Sequence, residues 1–173
     1  VTLIADQLIN HACKFKWIYN QKVNVPLIIR TPMGGRRGYG PTHSQTLEQM
    51  FLSVPQLKII APSHLHDPGS LLYKASIMEN NPVMFIENKL LYSQKIREGN
   101  TFKDFFIKEE NEGGYSTICA SLVNFSEPTD AVIICYGGMV PSVLGAARTL
   151  IIEEEIIFST DLKIGFASSY LQF

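Results

Sequence analysis

What most constrains the fold of this chain is the alternation of short apolar runs with longer stretches of helical periodicity. Residues 24–29, 57–60, 83–86 and 131–136 are runs rich in Val, Ile and Leu, with the length and branching of buried strands. Before the first run, Leu3, Ile4, Leu8, Ala12, Phe15 and Ile18 fall at helical spacings, which predicts an amphipathic helix whose apolar face these residues form. Between the first two runs, Leu47, Met50, Phe51 and Val54 follow the i, i+3, i+4, i+7 pattern and Pro55 stops it, so a short helix is expected there. A third helix should open with Asp67 as its cap and Pro68 in its first position, sending Leu71, Leu72, Ala75 and Ile77 inward. A fourth is expected over residues 143–152, after Gly137 and Gly138. Strands separated by helices of this length become parallel neighbours through crossovers. The expected class is therefore α/β, a doubly wound, mainly parallel sheet with helices on both faces, with a second α/β unit starting near residue 130.

Within that frame one loop stands out. Residues 30–45, RTPMGGRRGYGPTHSQ, follow the first strand and so lie at its carboxyl end, where ligands gather in open α/β sheets. Gly34, Gly35, Gly38 and Gly40 let the backbone pass close to another group, and Pro32 and Pro41 stiffen the two ends. His43 stands at the exit. An imidazole in that place is set for proton transfer or charge stabilisation, or else for capping the loop backbone.

Other candidates carry plainer readings. His64 and His66 are two apart with no further ligands at zinc spacing, so a polar helix entrance is expected rather than a metal centre. The Gly35-x-x-Gly38-x-Gly40 pattern inverts the dinucleotide fingerprint and has no Gly-Lys-Ser/Thr, which argues against a nucleotide loop. Glu87 ends a strand and is expected to pair with Arg30 or Lys89, and Glu153-Glu154-Glu155 to form a solvated face. Residues 94–116 mix charges with Gly99, Gly113 and Gly114. They read as a linker or surface excursion in which Phe102, Phe105, Phe106 and Ile107 form a short helical turn against the main body or a partner.

Composition decides which partners to exclude. A net charge of −1, with Arg36-Arg37 as an isolated basic pair, gives no footing for nucleic acid. Apolar runs of a few residues fall far below the ~20 that span a bilayer, and no export signal opens the chain, so no membrane is expected. Cys13, Cys119 and Cys135 are odd in number and far apart, the usage of reduced thiols rather than a disulfide framework.

Several short patterns then occur in a fixed order: Asp6-Gln7-x-x-Asn10, Arg30-x-Pro32-x-Gly34-Gly35, His43-Ser44-Gln45-x-x-Glu48, Ala61-Pro62-Ser63 and Asn81-Pro82-Val83-x-x-x-Glu87. In these the chain resembles the beta-type part of the thiamine-diphosphate-dependent decarboxylating component of 2-oxoacid dehydrogenases. The likeness holds from Val1 to about Tyr92 and is looser over residues 130–138.

The resemblance implies a transketolase-like pyrimidine-binding domain over residues 1–93, a linker over 94–129, and over 130–173 the truncated start of a transketolase C-terminal-like domain, in a chain that is a fragment at both ends. It implies oxidative decarboxylation of pyruvate or a branched-chain 2-oxo acid, with His43 catalytic and the acyl group passed to a lipoyl acyltransferase component. The cofactors would be thiamine diphosphate and magnesium. They would be shared with an alpha-type domain or subunit that holds the diphosphate while the beta side holds the aminopyrimidine. The activating glutamate of the family pattern lies upstream of Val1, so no cofactor-binding residue is expected within the chain, and the isolated chain should be inactive. A structural potassium ion is implied at positions matching Leu27, Ser76, Ile77, Glu79 and Asn81, mostly through main-chain carbonyls, although Glu79 stands where the pattern has a shorter acid. The setting would be a homo- or hetero-oligomer in a bacterial cytoplasm or a mitochondrial or other organelle matrix. Two alternatives stay open: acetoin cleavage or another reaction of the transketolase superfamily, and a non-catalytic oligomerisation or interaction module.

Overall fold

The computed structural model describes residues 1–99, 101–154 and 156–162. The described residues divide into two compact units, one of Val1–Ala61 with Leu72–Leu90, the other of Pro62–Leu71 with the described residues from Leu91 on.

The first unit is built on a three-stranded parallel sheet, β1 (Ile28–Met33), β2 (Lys58–Ile60) and β3 (Val83–Asn88), in the order β1-β3-β2. Ile28 to Met33 lie opposite Val83 to Asn88, and Lys58 to Ile60 opposite Val83 to Phe85. β3 is central because Val83, Met84, Phe85 and Ile86 are all buried, the continuous apolar run that a strand covered on both faces requires. Met84, Ile86 and Ile59 share a core with Leu8, Cys13, Phe51 and Val54. The alternate positions Val83, Phe85 and Ile60 are buried as well, so neither face of the sheet is open. β1 begins four residues later than expected and contains Pro32. As an edge strand it tolerates a residue that cannot donate to a ladder.

The opening helix differs from the sequence reading. It runs as a 3-10 turn (Thr2–Ile4), a π-helical turn (Gln7–Ala12) and α1 (Phe15–Ile18), and the Cys13 N–H donates to the Leu8 carbonyl at 2.9 Å, an i to i+5 bond. The wider turn brings Leu8 and Cys13, five apart, onto one buried face, packed with Val1, Ala5, Ile9 and Ala12. Leu3, expected in the core, is 97% exposed, and Ile4, Trp17 and Ile18 are exposed too. The helix expected after the Gly-rich loop is a single 3-10 turn, Glu48–Phe51. It buries Phe51 and Val54, three apart as the tighter turn favours, and leaves Met50 exposed. α2 (Pro68–Met78) begins as expected: the Asp67 carboxylate accepts the backbone N–H of Gly69 at 2.9 Å and of Ser70 at 3.2 Å.

The second unit holds a five-stranded sheet in the order β4-β5-β6-β8-β7. Its strands are β4 (Thr101–Phe102), β5 (Phe105–Glu112), β6 (Tyr115–Ser121), β7 (Ala131–Ile134) and β8 (Phe158–Leu162). β4, β5 and β6 pair antiparallel, and β6 pairs antiparallel with β8. β7 and β8 are parallel neighbours joined through α3 (Val140–Glu154), the second α/β unit that the sequence announced. Residues 101–121, expected as an excursion with a helical turn, are strands instead. Glu112 pairs with Tyr115 across Gly113 and Gly114, at φ 58° and 88°. Two residues at positive φ make the tight turn whose twist suits a hairpin, and glycine takes that backbone without strain. Phe105, Ile107, Ile118 and Ala120 join Val140, Leu144 and Ala147 of α3 in this unit's core. Glu153 and Glu154 are exposed, as a solvated face should be, while Glu155 lies outside the described residues.

Candidate active site

In the parallel sheet of the first unit, β1 and β3 end side by side, Met33 opposite Asn88, and the Gly-rich loop leaves from that edge. Its base is closed by the Gly34 N–H, which donates to the Gln45 carbonyl at 3.0 Å. Gly34 has φ 104°, and a Cβ there would stand 2.8 Å from the Asn88 amide nitrogen. Both the backbone and the space call for glycine. The Asn88 side chain is itself held, its Oδ1 accepting the Leu90 N–H at 3.0 Å.

The outer loop is fastened to the residue that follows β3. Arg37 Nη1 donates to the Lys89 carbonyl at 2.7 Å, and Lys89 Nζ donates to the His43 carbonyl at 2.5 Å. The Tyr39 ring receives both cations, with the Arg37 guanidinium 5.9 Å and the Lys89 ammonium 5.4 Å from its centroid. His43 is therefore held by its own main chain while its imidazole is exposed. An exposed imidazole beside fixed cations can pass a proton to, or stabilise negative charge on, a group brought to the sheet edge. The sequence reading missed Lys89, Tyr39 and Asn88. The one available signal was a lysine directly after a strand whose carboxyl end borders the loop.

Nearby carboxylates are engaged elsewhere. Glu87 pairs with Arg30, as expected, and Glu48 is buried in the 3-10 turn. The loop residues by themselves thus offer no open carboxylate for an aminopyrimidine and do not make a complete thiamine diphosphate site.

The positions considered for a monovalent cation gather around the end of α2. Ser76 and Ile77 are in its last turn, Glu79 and Asn81 follow it, and Leu27 precedes β1. Helix-end carbonyls carry partial negative charge, which suits a weakly hydrated cation. The side chains are occupied otherwise: Lys58 pairs with the Glu79 carboxylate, Asn81 Nδ2 donates to Gln56 Oε1 at 2.8 Å, and Ser76 Oγ donates to the Tyr73 carbonyl at 2.6 Å. The Leu27 carbonyl accepts the Val83 N–H at 2.8 Å. The donors this set offers are oxygens, mainly of the main chain, with no thiolate or imidazole, a chemistry that suits potassium better than a transition metal.

His64 and His66 stand at the entrance to α2, as expected, but buried. They are 6% and 4% exposed in the second unit. His66 Nδ1 accepts the Ser63 N–H at 3.2 Å and lies 2.9 Å from Ser63 Oγ, which itself accepts the Leu65 N–H. Burial above all pushes the His66 imidazole down to about 4; Glu109 opposes this, while Arg97 and His64 add to it. Burial and then Lys103 lower His64 as well. The segment is clamped by Arg97, whose N–H donates to the His64 carbonyl at 3.2 Å and whose side chain reaches the Leu65 carbonyl at 3.0 Å and Glu109 at 2.8 Å. Glu109 is held below the usual carboxylate range by Ser116 first and then by Arg97, against burial. The three cysteines are buried, and burial pushes the Cys13 and Cys135 thiols up to about 11, so both stay protonated. Among the described residues no three His, Cys, Asp or Glu side chains converge on a metal position, and no helix is long and apolar enough to cross a membrane.

A parallel α/β unit that presents a fastened glycine-rich loop and an exposed histidine at its strand ends belongs to the class of ligand-binding α/β enzyme domains. Comparison with known proteins narrows this. The family described as "Transketolase, pyrimidine binding domain" matches residues 5–95, and the chain belongs to it. The chain is 36% identical over 155 residues to the acetoin:2,6-dichlorophenolindophenol oxidoreductase subunit beta of Cupriavidus necator, covering 88% of this chain and 42% of that one. It is 35% identical over 148 residues to the mitochondrial pyruvate dehydrogenase E1 component subunit beta-1 of Arabidopsis thaliana, covering 84% and 38%. The chain thus spans less than half the length of these curated relatives. Among solved structures, a split-gene transketolase described as an inactive beta4 tetramer superimposes with a TM-score of 0.51 at 19% identity, covering 85% of this chain and 43% of that one. That likeness concerns the fold alone.

Proposed function

We propose that this chain is the beta-type portion of a thiamine-diphosphate-dependent 2-oxoacid dehydrogenase component, acting on pyruvate or a branched-chain 2-oxo acid. The observation that carries the reading is the loop of residues 34–45: it leaves the ligand edge of a parallel sheet, is fastened by Lys89, and presents the His43 imidazole, within a stretch that matches the pyrimidine-binding family throughout. Residues 1–93 then serve as the pyrimidine-binding domain, and residues from about 130 begin the transketolase C-terminal-like domain, with the β4–β6 strands between them.

In this reading thiamine diphosphate, when bound, would supply the nucleophilic carbon chemistry that decarboxylation of a 2-oxo acid needs. An alpha-type domain or subunit holds its diphosphate through magnesium, and the activating carboxylate comes from outside the residues described. His43 holds or delivers a proton at the mouth of the cleft, and Arg37, Lys89 and Tyr39 fix the loop that aims it. A lipoyl acyltransferase component receives the acyl group, and Leu27, Ser76, Ile77, Glu79 and Asn81 would hold a structural potassium ion, mainly through main-chain oxygens. The assembly is an oligomer, in a bacterial cytoplasm or an organelle matrix.

Acetoin is the second reading, since the relative from Cupriavidus necator is named for it. The test is to purify the intact protein with its alpha-type partner, load it with thiamine diphosphate and magnesium, and measure turnover of pyruvate, a branched-chain 2-oxo acid and acetoin. Carbon dioxide release from a 2-oxo acid is expected. Turnover of acetoin without decarboxylation selects the second reading, and binding of neither cofactor nor substrate leaves a non-catalytic module.

A further inference from the structure

A separate feature lies wholly in the second unit, beyond the proposed decarboxylase site. A cavity of about 470 Å³ is lined by Lys95, Lys103 and Arg148 on its charged side and by Phe102, Phe105 and Leu144 on its apolar side, with His64 and Gly145 completing the wall used below. That volume falls in the range of small-molecule sites. No carboxylate lines it. Asp104, outside the lining, pairs with one nitrogen of Arg148, whose guanidinium keeps further donors.

Two further observations bear on the wall. His64 is only 6% exposed and its Nδ1 is itself buried, so the ring enters the wall as a packed surface. Its ring stands edge-on to Phe102 at 5.0 Å between centroids, so a polar group and an aromatic surface occur together. The second observation is Gly145, in the interior of α3, where glycine weakens a helix relative to alanine. No atom lies within 4 Å of where its Cβ would stand, so no close packing within the protein requires the glycine. Pro141, Leu144, Gly145 and Arg148 all line the cavity, on one face of α3. The glycine leaves open the space that a ligand body would take, one turn from a guanidinium.

We propose that this cavity binds an organic phosphate with a planar body: Lys95, Lys103 and Arg148 take the phosphate charge, and the ring lies on Phe102 and against the bare backbone at Gly145. Lysine serves as a point charge for phosphate and arginine as a fork, and three cations suit a ligand with at least two negative charges. The same chemistry fits a free nucleotide or another phosphate ester that carries an aromatic ring, and the probes separate the phosphate from the ring.

The experiment is calorimetry on the intact protein with ADP, adenosine and inorganic pyrophosphate. Two variants accompany it: Lys95→Ala/Lys103→Ala, which removes charge from exposed side chains, and Gly145→Leu, which fills the cavity from a helix that leucine favours. ADP should bind more tightly than either fragment. Affinity should fall about tenfold or more in each variant, while the melting temperature of Gly145→Leu stays level or rises. Absence of ADP binding at about 1 mM overturns the proposal, as does adenosine or pyrophosphate binding as well as ADP. ADP affinity unchanged in both variants also overturns it, because the nucleotide then occupies another site. Decarboxylation is not the readout, so this result and that of the proposed enzymatic function stand apart.

Discussion

Lowering the pH from 8 to 5 should destabilise the second unit through its buried histidines, His66 foremost. His66 is 4% exposed and titrates at about 4 in the folded chain, against 6.5 unperturbed. A group lowered in this way binds fewer protons folded than unfolded between those two values. Its contribution is therefore complete above 6.5 and is lost as pH falls toward 4. The full shift of about 2.5 units corresponds to about 3 kcal/mol, of which about 2 kcal/mol is lost by pH 5. The cause is mainly burial, opposed by Glu109 and reinforced by Arg97 and His64; the Ser63 N–H also occupies Nδ1, which would have to release it on protonation. Glu109, lowered below 4.5, acts in a separate and more acidic window. The assay is urea unfolding at pH 8 and pH 5 for the parent chain and His66→Gln, together with the imidazole proton resonances of His66 over the same range. The variant should be weaker at pH 8 but should lose about 2 kcal/mol less between the two pH values. Equal losses in both proteins, or a His66 resonance titrating near 6.5, would refute the reasoning.

Arg97→Ala should cost about 2 kcal/mol in chemical denaturation, because the mostly buried guanidinium serves the Leu65 carbonyl, while Glu109, half exposed and also held by Ser116, loses less; a loss under about 0.5 kcal/mol would mean that the clamp is incidental. Gly34→Ala should destabilise by about 1–3 kcal/mol through positive φ and contact with Asn88, read as a lower melting temperature, whereas Gly38→Ala, at positive φ with open space around it, should cost only the backbone strain. Replacing Gly113-Gly114 by Val-Val should lower the melting temperature and weaken protection of β5 and β6 amides against hydrogen exchange, since neither valine accepts the turn's positive φ.

Features set by local chemistry were readable from the sequence. Asp67-Pro68 announced the start of α2 because the pair suits a helix cap and first position, and the apolar run at residues 83–86 announced the strand that proves central. The loop was legible from its glycines as one that leaves a strand end. Its anchoring was not, because Lys89 is distant in sequence and an exposed lysine carries no signal of what its ammonium will meet. The β5–β6 hairpin was legible in Gly113-Gly114 but was obscured by Lys108, Glu109 and Glu110, whose charges read as surface although an outer strand carries them readily. The buried face of the opening helix was hidden for a physical reason. Ordinary helical spacing pairs residues three and four apart, whereas the π turn pairs Leu8 with Cys13, and nothing in the residue types declares the wider turn. His64 and His66 were misread because burial of a neutral imidazole depends on Arg97 and Ser63 closing around it, a tertiary event.

The central claim is that His43 serves the chemistry rather than the scaffold, and it is tested on the intact protein assembled with its alpha-type partner. His43→Ala should leave the melting temperature and thiamine diphosphate affinity nearly unchanged, since the imidazole is exposed and Lys89 holds the loop through a carbonyl that the substitution retains. Turnover of the 2-oxo acid should fall by about 100-fold, the usual consequence of losing a positioned acid or charge stabiliser. Turnover at the parent rate in a folded, cofactor-loaded assembly would contradict the account and leave His43 as a loop residue.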